Sequence, residues 1–546
     1  MFSQRITVLP LILAGSLAAC GDSSVNTPTG NEPDNRPNIL LIVADDMGYT
    51  DLGAYGGEIQ TPNIDSLATQ GMLLTQFHTG PSCAITRAML FSGNNNHVAG
   101  MARQNQVGIV GIPVAGYENG LSDRIVPFPR LLQDAGYHTY MAGKWHLGMT
   151  EDQSPYAAGF SRSYATLDGG GSHFSLLSIR EGGRTYREDK EIVGYPEGRY
   201  STEVYTNRLI EFIDENRGDG KPFFALASYR SPHWPLQVPD EYLDLYSGQY
   251  DDGYDALRLR RFDALKEAGI IPLHMELPPR NDDVPLWDSL AQDKKRRKSR
   301  EMELYAAMVD NLDDHVGRLF EYLKANDLYE NTLIVFMSDN GADGGNFYDR
   351  GPFREFLRAN YTDDYEKMGT AESFIAYDLE WAEAGSVPFH KYKGYTREGG
   401  IVAAMMMAGP GVEPNGVINP AYVTVMDLAP TFLEIAGARY PDDGSVRPML
   451  GESLSDLMSG RTDAVHDDSY VTLQFTAGRA YLRQGSWKIS TLDRPFDESK
   501  FELFDLESDL AETVDLADDE PEKYAELISL WRIKRKELGI ILPEDL

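Results

Sequence analysis

Four short clusters in this 546-residue chain carry side chains able to hold a charged reaction centre: Asp45-Asp46, Lys144-Trp145-His146, Ser231-Pro232-His233 and Ser338-Asp339-Asn340. They follow the apolar runs Asn38 to Ala44, Tyr137 to Ala142, Phe223 to Tyr229 and Thr332 to Met337. In open α/β sheets ligands bind beyond the carboxyl ends of strands, so these clusters belong where a site is expected. Asp45, Asp46, Asp339 and Asn340 offer only oxygen ligands, which suits a hard divalent cation, Ca²⁺ or Mg²⁺, and argues against zinc. Either acidic pair alone would serve as a helix cap or polar turn; two at strand ends point to metal. Cys83 lies in Pro81 to Gly93, which reads as a helix opening near the cysteine and closing at glycine. A helix N-terminus favours an oxyanionic group, and Arg87, one turn on, projects from the same face. Taken singly, Cys83 reads as an inert buried thiol, Lys144 and His146 as surface residues, and His233 as a packed loop histidine. His173, after Gly169-Gly170-Gly171, either faces the same pocket or is structural.

Nearly continuous aliphatic runs such as NILLIVA are expected of strands buried on both faces of a parallel sheet. A fifth run spans Ile401 to Met407. Segments of helical periodicity separate the runs. Leu131, Leu132 and Ala135 end at Gly136, and Tyr305 to Leu323 carries Met308, Leu312, Val316, Leu319 and Phe320 on one face. The alternation predicts an α/β fold with a central, mostly parallel sheet flanked by helices, over residues 37–460. From about Ser469 the texture changes to short strands with turn signals and a helix from about Pro521 to Leu538, giving a smaller C-terminal α+β subdomain over 461–546. The excursion between Gly341 and Lys393, rich in Tyr, Phe, Asp and Glu, is expected to wall the pocket.

Lys plus Arg number 50 against 84 Asp plus Glu, a net charge of −34 that repels nucleic acid and anionic headgroups. A small anionic substrate then needs a locally positive pocket. The basic run Lys294 to Lys298 reads as a solvated helix start. At the N-terminus Arg5 and an apolar run from Ile6 to Ala19 lead into Leu17-Ala18-Ala19-Cys20, which resembles the lipobox of bacterial lipoproteins, with Cys20 acylated. The reading is a lipoprotein signal peptide over 1–20 and a flexible tether over 21–36. The protein is thus expected to be exported, periplasmic or anchored at the outer membrane or cell surface, touching membrane only through its lipid. Cys20 and Cys83 are the two cysteines, so a lipidated Cys20 leaves Cys83 a lone thiol.

The stretches PNILLIVADDMGYTDLGAYGGEIQTPNIDSLATQG, SCAITRAMLFSGNNNHVAG, AGYHTYMAGKWHLG, SPHWP, YAAMVDNLDDHVGRL, SDNGAD and KGYTREGG, in that order, resemble the type I sulfatases of the alkaline phosphatase superfamily, in particular the bacterial arylsulfatase branch. FELFDLESDLAETVDLA resembles that family's ending. The resemblance implies an alkaline-phosphatase-like fold, sulfate-ester hydrolysis of a small-molecule or glycan substrate, and a divalent cation, usually calcium, on Asp45, Asp46, Asp339 and Asn340. It implies that Cys83 is oxidised by a formylglycine-generating enzyme and that the aldehyde hydrate is the nucleophile. Arg87 and Lys144 would hold that group, His146 would help collapse the enzyme-sulfate intermediate, and His233 with Lys393 would bind sulfate and protonate the leaving oxygen. Ile85 departs from the family motif Cys-X-Pro-X-Arg, where proline or a small residue is usual. Two further readings stand beside sulfatase: a phosphonate or phosphodiester hydrolase of the same superfamily, and a surface lipoprotein that binds sulfated ligands with little turnover because Cys83 stays a thiol.

Overall fold

The computed structural model describes residues 34–104 and 114–542. Cys20, the signal segment and the tether up to residue 33 lie outside the described residues. The sheet is ten-stranded: β1 (Asn38–Asp45), β2 (Met72–His78), β3 (His138–Lys144), β4 (Arg162–Thr166), β5 (Tyr186–Glu188), β6 (Glu191–Val193), β7 (Phe223–Pro232), β8 (Thr332–Ser338), β9 (Met405–Ala408) and β10 (Val417–Thr424). Their order is β10-β2-β9-β8-β1-β7-β3-β4-β5-β6. All eight residues of β1 are buried. Leu40 and Ile42 join one core while Ile39, Leu41 and Val43 join the core on the other face, which is why the run shows no polar alternation.

The topology places the chemistry. β8, β1, β7 and β3 are consecutive and mutually parallel, with Ala44 opposite Ser338, Asp45 opposite Pro232 and Gly143 opposite Ser228. Neighbouring strands lie about 4.8 Å apart, so the residues leaving these four ends share one narrow strip.

Two elements differ from the sequence expectation. The run Ile401 to Met407 divides into a helical turn, Glu398–Ile401, and the short β9, which pairs antiparallel with both β2 and β8. The turn depends on glycine: a Cβ on Gly399 would sit 2.1 Å from the Lys391 carbonyl oxygen and one on Gly400 2.2 Å from that of Tyr395. The helix expected over Tyr305 to Leu323 runs Gln292–Ala325 and takes the basic run into its first turns. There Lys298 pairs with Glu301 (3.2 Å) and Glu380 (3.0 Å), and Arg297 with Asp363 (3.3 Å). Among the described residues no helix is long and apolar enough to cross a membrane.

The C-terminal strands β11 (Val471–Thr476), β12 (Arg479–Gln484), β13 (Trp487–Thr491) and β14 (Glu502–Asp505) form an antiparallel sheet. Helix Pro521–Glu537 supplies Leu527, Ile528 and Trp531 to its core. A buried ion network ties this sheet to the larger one: Lys488 Nζ lies 2.6 Å from Glu398 and 2.8 Å from Glu512, and Glu398 also takes His78 Nε2 at 2.7 Å.

Two histidines make stability acid-sensitive. Burial, helped by Arg124, pushes His97 down to about 3, and burial, helped by Arg318, pushes His315 to about 4. The unfolded chain binds a proton at each near pH 6.5 while the folded chain refuses it, so stability falls as pH drops from there towards the folded values. Each should remove about 1.5–2 kcal/mol between pH 7 and pH 5. Denaturant unfolding at both pH values should show that loss, and His315→Gln should reduce it by one histidine's share; a loss unaltered by the substitution would contradict the assignment.

Candidate active site

Asp45 ends β1, and Asp46 follows at φ 70°, a left-handed conformation that aspartate tolerates better than most residues. Its N–H donates to Asp339 Oδ1 (3.3 Å) across the gap between β1 and β8. Asn340 Nδ2 donates to Asp46 Oδ1 (2.8 Å), while Asn340 Oδ1 is buried without a hydrogen-bond partner. The predicted cysteine helix spans Cys83–Ser92, every residue buried, and closes on Gly93 at φ 60°. Cys83 Sγ donates to Asp46 Oδ1 at 3.6 Å. One ligand atom each from Asp45, Asp46, Cys83 and His233 lies within 4.8 Å of all the others.

Three cationic side chains face these carboxylates. Lys144 Nζ donates to both Asp45 oxygens (2.8 and 2.6 Å). Arg87 Nε and Nη2 reach Asp339 Oδ2 (3.0 and 2.9 Å), and its Nη1 donates to Ser228 Oγ (2.6 Å) and the Lys144 carbonyl (2.8 Å). Lys393 Nζ contacts both Asp46 oxygens (2.5 and 2.7 Å) and Asp343 Oδ2 (3.1 Å). His233 Nδ1 lies 2.7 Å from the Trp234 carbonyl, which assigns that nitrogen the proton and leaves Nε2, 3.4 Å from Asp46, as the other ring nitrogen. His146 leaves β3 at φ 60°, its ring against Gly169, where a Cβ would sit 2.4 Å from Cε1.

Burial alone would raise Asp45, yet Lys144, with Arg87 and Lys393, holds it well below the usual carboxylate range. Asp46 goes the other way: burial, joined by Asp343, Asp45 and Asp339, pushes it well up despite the help from Lys393. Burial also raises the Cys83 thiol, with Asp45 adding to the effect, and keeps His233 and His146 neutral. A carboxylate short of compensation beside an orphaned amide oxygen, in an all-oxygen donor set, fits a hard divalent cation held by Asp45, Asp46, Asp339 and Asn340.

Asp45, Asp46, Cys83, Arg87, Lys144, His146, His233, Asp339, Asn340 and Lys393 thus come together. His173 does not face the cavity. It is fully buried behind His233, with Nδ1 on Ser201 Oγ (2.8 Å) and Nε2 on the His233 carbonyl (3.0 Å), so its position is that of a support. Sequence reasoning missed Ser228, which accepts from Arg87, and Asp343, which accepts from Lys393 and from Trp234 Nε1 (2.8 Å). Asp343 sits three residues after Asn340 in SDNGAD, within reach of a reading that followed the loop past Asp339 and Asn340. A cavity of about 660 Å³ opens above the cluster, bordered by Ser82, His233, Trp234, Asp343, Phe347 and Lys393.

The sulfatase family model matches residues 37–438 of this chain. An uncharacterised sulfatase of Schizosaccharomyces pombe is 36% identical over 530 residues, covering 93% of this chain and 95% of that protein. An arylsulfatase of Klebsiella aerogenes is 38% identical over 442 residues, 77% of this chain and 91% of that one. The crystal structure of Ps i-CgsB in complex with k-i-k-neocarrahexaose aligns with a TM-score of 0.64 at 25% identity, covering 92% of this chain and 93% of that chain.

Added Ca²⁺ or Mg²⁺ should raise the melting temperature of metal-stripped protein, since an ion binding only the folded state at a hundred times its Kd stabilises by about 2.7 kcal/mol. Asp46→Ala should abolish the shift. A shift of full size in that variant would move the cation elsewhere.

Proposed function

The chain belongs to the sulfatase family and hydrolyses sulfate esters, and from that premise we propose that it does so with a formylglycine made from Cys83 beside a calcium ion. The observation that carries this reading is the convergence of Cys83, three carboxylates, Asn340 and three cationic side chains at the ends of adjacent parallel strands. Asp45, Asp46, Asp339 and Asn340 would hold the cation, which when bound supplies positive charge beside the nucleophile and the sulfuryl oxygens. A formylglycine hydrate supplies an oxygen nucleophile that a buried thiol lacks.

The chain's own residues divide the remaining work. Arg87 and Lys144 are braced by Asp339 and Asp45 at the mouth of the Cys83 helix, where the nucleophile's oxygens need donors. Lys393 and His233 stand on the cavity side, placed to bind the sulfuryl oxygens and to deliver a proton to the leaving oxygen. In the net reaction the sulfur–oxygen bond to the leaving group breaks, that oxygen keeps the electron pair and gains a proton, and water supplies the oxygen that sulfate gains. His146, its ring against Gly169 and near Lys144 and Arg87, would move the proton that frees the sulfate. The aromatic border of the cavity supports an aryl or glycan leaving group. The small-small-Cys ending of the N-terminal apolar run supports export and anchoring through Cys20; Cys20→Ser should release the protein from the membrane fraction, and unchanged partitioning would end that reading.

Ile85 is buried and packs on Gly80, where a Cβ would sit 2.6 Å from Ile85 Cγ2. It occupies the third position of the Cys83 helix, in the first turn, where a backbone N–H has no intrahelical partner and proline is tolerated. Ile85→Pro should therefore raise the formylglycine fraction and the rate on nitrophenyl sulfate together. Cys83→Ala should lower kcat at least ~10³-fold. Peptide mass at position 83 measures conversion directly. Fully thiol-bearing protein as active as any converted fraction would overturn the mechanism.

A further inference from the structure

We propose that Arg103 and Arg494, on the cavity wall beyond Lys393, bind a second anionic group of the substrate, a sulfate or carboxylate borne by the saccharide whose ester is cleaved. This rests on the sulfatase reading and narrows the substrate to a polyanionic ester.

The first argument is charge. In a chain of net charge −34, acidic partners are abundant, yet among the described residues neither arginine has an ion pair or hydrogen bond. The acids bordering the cavity are engaged elsewhere. Asp343 takes Lys393 and Trp234, Asp168 accepts the Thr185 N–H (2.7 Å) with Arg180 at 4.0 Å, and Asp283 has Lys391 at 4.0 Å. Arg350, also on the border, is matched by Asp378.

The second argument is crowding. Arg494 lies close enough to depress the pKa of both Arg103 and Arg479, adding in each case to the effect of burial. Arg494 thus repels two guanidinium groups that no acid near them offsets, and an anion bound between them relieves that repulsion. Arg479 is fixed in place, its guanidinium 3.7 Å from the centre of the Tyr395 ring and donating to the Gly394 carbonyl. Gly394 follows Lys393 and borders the same cavity, so the arginines stand next to the catalytic lysine rather than on a remote face. Their source is the C-terminal sheet for Arg479, the loop after β13 for Arg494, and the segment after the Cys83 helix for Arg103. Planar guanidinium forks match sulfate and carboxylate oxygens in pairs, which gives the chemical class.

The test compares nitrophenyl sulfate with a disaccharide carrying two sulfates, using calcium-loaded wild type, Arg103→Ala, Arg494→Ala and the double variant. The double variant should lose kcat/KM on the disulfated sugar at least about tenfold more than on nitrophenyl sulfate, mainly through KM, and added salt should narrow the gap. Equal losses on the two substrates, or no loss, would overturn the site. Calorimetry of the disulfated disaccharide on Cys83→Ala protein, with and without Arg494→Ala, separates the two readings. Binding that needs Arg494 while no form of the enzyme releases sulfate upholds the site and refutes the sulfatase reading. Hydrolysis and binding indifferent to the arginines do the reverse.

Discussion

Asp45, Asp46, Asp339 and Asp343 are buried within one small volume, and carboxylates out of water persist only where positive charge meets them. Lys144 answers Asp45, Arg87 answers Asp339, and Lys393 answers Asp46 and Asp343. Each cation comes from a separate element: the end of β3, the Cys83 helix and the loop before Glu398–Ile401. Charge matching therefore fixes how these elements meet, and removing one partner of such a buried pair typically costs about 3–5 kcal/mol. Three side-chain cations against four carboxylates leave one acid short of a counter-charge, and burial with the neighbouring acids pushes Asp46 well up, so ionising it is what the metal-free site resists. The same imbalance that strains the metal-free site is what attracts a divalent ion, so the stability of the centre and its affinity for metal have one origin.

That centre was legible because strand ends are legible. A strand buried on both faces must be apolar throughout, so the first charged residue after it marks where the sheet stops and the site begins. Asp45, Lys144 and Asp339 all announce themselves in this way, and helix periodicity with a closing glycine did the same for Cys83–Ser92. What could not be read were contacts set by three-dimensional approach. Gly399 and Gly400 look like ordinary loop residues until their hydrogens meet the carbonyls of Lys391 and Tyr395, and this close packing shortens the expected strand to Met405–Ala408. His173 follows three glycines and so resembles a pocket residue, yet its two nitrogens are spent on Ser201 and the His233 backbone. Asp343 carries no signal of its own, being a further acid in a loop; its role appears only when Lys393, fifty residues on, folds back to it.

The C-terminal sheet acquires a purpose from the same electrostatics. The segment Lys393 to Glu398 crosses from the site to this sheet, and it is held at several points along its length. Arg479 donates to Gly394, Thr396 Oγ1 reaches the Ala480 carbonyl (3.3 Å), Arg397 pairs with Glu502, and Glu398 meets Lys488. Lys393 has a long, flexible side chain, so its hold on Asp46 is only as firm as the backbone behind it. Because Lys488 of β13 answers Glu398 while keeping its own partner Glu512, the sheet cannot withdraw without stranding Glu398, and the penalty for an uncompensated buried carboxylate locks the segment far more tightly than surface contacts could. The smaller sheet is thus part of the active site's framework although it contributes none of the groups gathered around Cys83: it carries its charge pairs one step behind Lys393 and, through Arg479, holds the Gly394 carbonyl at the cavity border.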